Sequence, residues 1–132
     1  MAIQFNHTIV ACRDQMRSSG FMAEVLGLPD PTRFGHFLCV ELENGVSLDF
    51  MESDGEFARQ HYAFLINEEE FDRVFGRIRE KKLEYWADPF CKRSSEINTR
   101  DGGRGVYFRD PDSHLLEVLT RPYGSGEATD AP

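Results

Sequence analysis

Residues 102–118, GGRGVYFRDPDSHLLEV, set two short apolar runs around a turn. The tetrad Asp110-Pro111-Asp112-Ser113 suits a chain reversal: proline presets φ, and the Asp and Ser side chains hydrogen-bond nearby backbone. Strands are therefore predicted over residues 105–109 and 114–120. The second of them carries a carboxylate, Glu117, in the middle of the apolar run HLLEVL. Burying a carboxylate on a strand face is costly unless a partner answers it.

The same anomaly recurs upstream. Asp49 sits inside VSLDFM, and two histidines head apolar strands, His7 in FNHTIVA and His61 in RQHYAFLI. Their order along the chain is His, carboxylate, His, carboxylate. Strand parity groups Glu117 with Leu115 and Leu119, Asp49 with Ser47 and Met51, His7 with Phe5 and Ile9, and His61 with Ala63 and Leu65. Two imidazoles and two carboxylates form a hard-to-borderline donor set suited to Zn, Ni, Co, Mn or Fe(II). Each residue alone also has a plainer reading, a structural strand histidine or a carboxylate paired with an arginine.

Outward from these residues the chain reads as two similar halves. In the first, residues 5–11 form a strand. Asp14 caps a helix presenting Phe21, Met22, Val25 and Leu26, and Gly27 ends it. Strands over residues 37–42 and 46–51 follow, joined by the hairpin signal Asn44-Gly45. A polar stretch, residues 52–59, separates the halves. The second half repeats the plan: a strand over 61–66, then a helix opened by a capping box of Asn67 and Glu70, with Phe71, Val74, Phe75 and Ile78 on one face. Strands over 83–87, 105–109 and 114–120 complete it. The long polar segment 88–103 reads as the rim or lid of a pocket, or equally as a mobile surface loop.

Composition bounds the rest. The chain has 132 residues, 40% hydrophobic and 29% charged, with a formal net charge of −8. That length gives one domain with a real core. We expect one domain over residues 1–123, with a first module of about 1–55 and a second of about 58–122, and a disordered tail over 124–132. The acidic balance argues against nucleic acid and anionic membranes as partners, since both need clustered Lys and Arg. No signal peptide or bilayer-length apolar run stands out. Cys12, Cys39 and Cys91 are odd in number and scattered, which argues for a reducing, cytoplasmic setting.

The closing run 102–118 resembles the last strands of the vicinal oxygen chelate superfamily. The opening run NHTIVACRDQMRSSGFMAEVLGL resembles its first strand and helix, and the likeness spans roughly residues 5–122. That superfamily includes glyoxalase I, methylmalonyl-CoA epimerase, extradiol dioxygenases, and the fosfomycin- and bleomycin-resistance proteins. The resemblance implies an α+β fold: two βαβββ modules forming a curved, barrel-like mixed sheet with helices outside. It implies one divalent metal ion (Zn, Ni, Mn or Fe(II)) held by His7, His61 and Glu117, with no organic cofactor. Asp49 falls where glyoxalase I places a fourth ligand, a glutamate. Aspartate is one methylene shorter, so the alternatives to its being a fourth ligand are that it falls short of the metal, reaches it through water or serves as a general base.

For function, the resemblance implies a small-molecule substrate with vicinal oxygens and, by family habit, a homodimer. The leading expectation is glyoxalase-like lyase or isomerase chemistry, with Asp49 or Glu117 as catalytic base. The alternatives are an Fe(II) extradiol-type dioxygenase and a metal-free drug-binding protein of the bleomycin-resistance type. Tyr107 matches a tyrosine that fosfomycin-resistance enzymes direct at their substrate. However, Ile9 stands where they carry threonine, and the position of their substrate arginine falls near Gly126. Tyr107, Trp86, Phe90 and Arg93 are candidate substrate-binding residues, with core aromatics and a solvated basic loop (Arg93, Arg100, Arg104) as the plainer alternatives.

Overall fold

A computed structural model describes residues 2–126. Its elements run β1 (His7–Cys12), α1 (Gln15–Leu26), β2 (Thr32–Phe34), β3 (Phe37–Glu41), β4 (Ser47–Glu52), β5 (His61–Leu65), α2 (Glu68–Glu80), β6 (Tyr85–Trp86), a short 3₁₀ turn (Arg100–Gly102), β7 (Gly105–Arg109) and β8 (Leu115–Leu119). The chain divides into two compact units, Met1–Ala58 and Arg59–Pro132. Each unit is β-α-β-β-β around an open four-stranded mixed sheet, in the orders β1-β4-β3-β2 and β5-β8-β7-β6. This is the α+β architecture expected from the sequence, with each sheet open rather than closed on itself. Among the described residues no helix is long and apolar enough to cross a membrane.

The local signals act as chemistry dictates. Asp14 accepts from the backbone N–H groups of Met16 and Arg17, both at 3.1 Å, and starts α1. Gly27 closes that helix in the left-handed conformation. The capping box opens α2: Asn67 Oδ1 accepts from Glu70 N–H at 2.7 Å, and Glu70 Oε1 accepts from Asn67 N–H at 3.3 Å. The β3–β4 hairpin turns at Gly45, whose φ of 83° an L side chain resists.

Alternation then sorts each sheet into two faces. In the first unit Val10, Val40, Leu48 and Phe50 are buried together with Met22, Ala23 and Val25 of α1. The opposite face carries His7, Ile9, Cys39, Ser47, Asp49 and Met51. In the second unit Val106, Phe108, Leu116 and Val118 share the buried face with Phe71, Val74 and Ile78 of α2. Its opposite face carries His61, Ala63, Trp86, Tyr107, Arg109 and Glu117.

Three features differ from, or sharpen, the sequence reading. β2 is a fully exposed edge strand of three residues, too short to show an alternating pattern. β6 is two residues long, because the chain turns at once into the segment that follows. That segment is pinned, not loose. Asp88 accepts from the backbone N–H groups of Phe90, Lys92 and Arg93, and Asn98 pairs with Gly105 and donates to the Ala87 carbonyl at 2.9 Å. Of the expected disordered tail, residues 127–132 lie outside the described residues; Gly124 and Gly126 both donate backbone N–H groups to Asp101.

The Asp110-Pro111-Asp112-Ser113 turn joins β7 to β8 as expected. Asp110 Oδ1 accepts from Asp112 N–H at 2.9 Å and His114 N–H at 2.8 Å, while its Oδ2 is buried without a hydrogen-bond partner. Burial pushes this carboxyl above the ordinary range, partly opposed by His114. A carboxyl raised on folding stabilises the fold while protonated, and that contribution is lost as pH rises through the raised value. Replacing Asp110 with Ala leaves two buried N–H groups unanswered and should cost about 1–3 kcal/mol in denaturant unfolding. Asp110→Asn keeps an acceptor without the charge. Its stability relative to wild type should therefore improve as pH rises above about 4, the unperturbed carboxyl value; a flat or falling difference would contradict this account.

Candidate functional site

The second unit brings His61 and Glu117 together through strand register. β5 and β8 run parallel with His61 opposite Leu115 and Ala63 opposite Glu117, so the two side chains are diagonal neighbours on one face. His61 Nδ1 lies 3.0 Å from the Leu115 carbonyl oxygen. That oxygen only accepts, so Nδ1 carries the proton. In the neutral ring Nε2 then presents a lone pair to Glu117 Oε1, 3.1 Å away. Two lone pairs facing each other at that separation need a proton or a metal ion between them. A histidine whose far nitrogen is fixed by a carbonyl is also the arrangement found behind metal-ligating imidazoles. His61 and Glu117 therefore fit as two of the ligands of a divalent ion.

Glu117 is 1% exposed, and its other oxygen has a partner that the sequence pattern did not reveal. The Tyr123 hydroxyl donates to Glu117 Oε2. Tyr107, directly across the ladder from Glu117, places its hydroxyl 2.6 Å from that of Tyr123. Arg100 Nη1 donates to both phenol oxygens, at 3.2 and 3.3 Å. Tyr107 also stacks on His61, with ring centroids 5.9 Å apart. Burial pushes the Tyr107 phenol up, against the lowering effect of its bond to Tyr123. Burial and then the bond to Glu117 push Tyr123 far above the ordinary tyrosine range. Both phenols are thus neutral donors at physiological pH. From sequence, Arg100 is one cation among several in a polar segment, and Tyr123 stands beyond the last predicted strand.

Other candidates fall nearby or elsewhere. Trp86 pairs with Tyr107 across β6 and β7, on the same face, with Arg109 5.8 Å above its ring. Phe90 is 76% exposed, and Arg93 lies 3.4 Å from Glu96. Neither is drawn to the Glu117 cluster by any hydrogen bond or ring contact among the described residues. His114 lies on the other side of its sheet, fully buried; its Nδ1 accepts from Gln60 N–H at 2.9 Å and its ring meets Tyr62 edge-on.

The first unit repeats the register but not the contact. β1 and β4 are parallel, His7 opposite Ser47 and Ile9 opposite Asp49. The diagonal is the same as in the second unit, with Asp49 at the position equivalent to Glu117. Here His7 Nδ1 lies 2.6 Å from Asn6 Oδ1, and the Ser47 hydroxyl donates to Asp49 Oδ1 at 2.5 Å. Burial, then the neighbouring Asp49 carboxylate, push the Cys39 thiol up. Within neither unit do three His, Cys, Asp or Glu side chains cluster among the described residues.

This fold and donor arrangement define a class. Residues 4–118 match the model of the Glyoxalase/Bleomycin resistance protein/Dioxygenase superfamily, and the chain belongs to that superfamily. Among solved structures, Oxidase ChaP-H2 is 57% identical, with a TM-score of 0.93, over 96% of this chain and 99% of that one. The Glutathione transferase FosA of Serratia marcescens is 28% identical over 124 residues, 89% of this chain and 81% of that protein. The Metallothiol transferase FosB of Shouchella clausii is 43% identical over a 60-residue stretch, 46% of this chain and only 37% of that relative.

If His61 and Glu117 hold a metal ion, His61→Ala and Glu117→Ala should each weaken Zn(II) binding in calorimetric titration. The loss should exceed the roughly 10–100-fold typical of an outer-shell residue. Wild-type affinity in either variant would exclude that residue as a ligand.

Proposed function

We propose that this protein is a metal-dependent enzyme that oxidises a small substrate bearing adjacent oxygens, with His7, His61 and Glu117 as the residues that hold a divalent ion. The observation that carries the reading is the likeness, over nearly the whole of both chains, to a protein named an oxidase. Two histidines and one carboxylate are the ligand set of Fe(II) oxygenases and leave positions open for other molecules. When bound, such an ion supplies Lewis-acid polarisation of chelated oxygens and, as Fe(II), electrons for dioxygen.

The protein's own residues supply orientation and a dry wall. The Leu115 carbonyl fixes the His61 tautomer, and Tyr123 fixes the Glu117 carboxylate. Tyr107 and Trp86, 2% and 9% exposed, close the face on which a planar substrate would rest. The Tyr123 hydroxyl is committed to Glu117 and the Tyr107 hydroxyl to the Tyr123 oxygen, so the two phenols act by holding that carboxylate in place.

A proton-transfer enzyme of glyoxalase type is the second reading, and Asp49 supports it. Its carboxylate is half-buried, accepts from the Ser47 hydroxyl and has no ion pair among the described residues, and it is the candidate base of this reading. The departures at Ile9 and Gly126 from the fosfomycin-resistance pattern count against a phosphonate substrate.

The deciding experiment is anaerobic reconstitution with Fe(II), then addition of a catechol and measurement of oxygen uptake. Stoichiometric uptake, abolished in His7→Ala and Glu117→Ala, is the expected result. Substrate conversion without oxygen, lost in Asp49→Ala, would replace oxidation with the glyoxalase-type reading. A protein that takes up no metal would leave a binding protein of the drug-resistance kind.

Family habit also supports a homodimer. Light scattering after size exclusion should give about twice the 15.2 kDa chain mass; a clean monomer would remove this part of the proposal.

A further inference from the structure

The geometry points to Tyr123 as a positioning residue for Glu117: it occupies one carboxylate oxygen, so that Glu117 offers only the other, the one facing His61, to a metal ion. The inference rests on the reading of His61 and Glu117 as metal-holding residues, and assigns the segment after β8 a part in that site.

A glutamate carboxylate turns easily about its last bond and can bind an ion through one oxygen or two. Glu117 is divided between unlike partners. Oε1 stands 3.1 Å from His61 Nε2, and Oε2 takes the Tyr123 hydroxyl. Swinging both oxygens toward an ion would break the hydrogen bond from Tyr123 to this buried carboxylate. One-oxygen ligation keeps it.

Tyr123 is itself held from two sides. Its hydroxyl lies 2.6 Å from that of Tyr107, and Arg100 sits 5.7 Å over its ring while donating to its oxygen. The backbone that carries it is clasped by Asp101, a buried residue in the left-handed region at φ 55°. Asp101 Oδ2 accepts from Gly124 N–H at 3.0 Å, and Oδ1 accepts from Gly126 N–H at 3.2 Å. A Cβ at Gly126 would overlap the Asp101 carbonyl oxygen, so the clasp closes only over glycine. Strain at a non-glycine left-handed residue persists where surrounding contacts enforce it. Here the enforced product is Tyr123 delivered to the Glu117 carboxylate, with Arg100 donating to its phenol oxygen.

The test uses the full-length chain and Co(II) alone. Tyr123→Phe removes the hydroxyl and keeps the ring. It should bind Co(II) about 10–100-fold more weakly in chelator competition, and its visible Co(II) spectrum should shift as Glu117 gains freedom. Gly126→Ala, which leaves the hydroxyl in place but displaces the clasp, should change both readouts in the same direction by less. A merely structural tyrosine would lower the melting temperature without altering the spectrum. Wild-type affinity and spectrum in folded Tyr123→Phe would overturn the inference while leaving the metal reading intact. Should Tyr123→Phe not fold, the Gly126→Ala spectrum decides, and an unchanged one overturns the proposal. A wild-type protein that binds no Co(II) would overturn both, and one that binds Co(II) but consumes no oxygen when reconstituted with Fe(II) and given a catechol would fail only the oxidase reading.

Discussion

A carboxylate buried at the centre of a sheet must be answered by donors or neutralised, and Glu117 imposes that demand on the second unit. The parallel register of β5 and β8 sets His61 on its diagonal, β7 sets Tyr107 directly opposite, and the segment after β8 returns Tyr123 to its free oxygen. Arg100 adds positive charge behind the phenols. The Leu115 carbonyl sets the His61 tautomer, burial keeps the two phenols neutral, and the Asp101 clasp holds the segment that carries Tyr123.

The two units show how far one plan can diverge under the same register. Each heads its first strand with histidine, and each places a carboxylate on the diagonal position of the parallel partner. In the second unit the residue opposite the histidine is Leu115, whose side chain offers no hydrogen bond, so Glu117 turns to His61 and Tyr123. In the first unit that place belongs to Ser47, whose hydroxyl takes the Asp49 oxygen. The shorter aspartate and the local hydroxyl together keep Asp49 beside its own strand. Two exchanges, serine for leucine and aspartate for glutamate, therefore separate a carboxylate facing histidine from one held by its own strand.

Much of the fold could be read directly because its signals are local. Asp14, the Asn67–Glu70 box, Asn44-Gly45 and the Asp110–Ser113 turn each act through hydrogen bonds within a few residues, and alternation along five-residue strands gives faces. β2 escapes such reading because three exposed residues make no pattern. The segment after Trp86 escapes because its order comes from Asp88 and Asn98, polar residues that look like ordinary loop composition. His61 and Glu117 were visible as polar exceptions in apolar strands. Tyr123 and Arg100 were not, since their roles arise from chain reversals that bring residues 100, 107, 117 and 123 together, and no spacing announces them.

The Asp88 anchor has a further consequence for how this face can change over time. Three backbone N–H groups converge on one side chain, and Trp86 bridges to Ser94, so residues 89–93 form a closed bight whose ends are fixed beside the sheet. Phe90 projects from it into solvent. Substitutions within that bight alter the neighbourhood of Trp86 while leaving the ladder under His61 and Glu117 in register. Change in the bight and constancy in the ladder are thereby placed on mechanically separate parts of the same unit, and a descendant of this chain can vary residues 89–93 without disturbing the strands that carry His61 and Glu117.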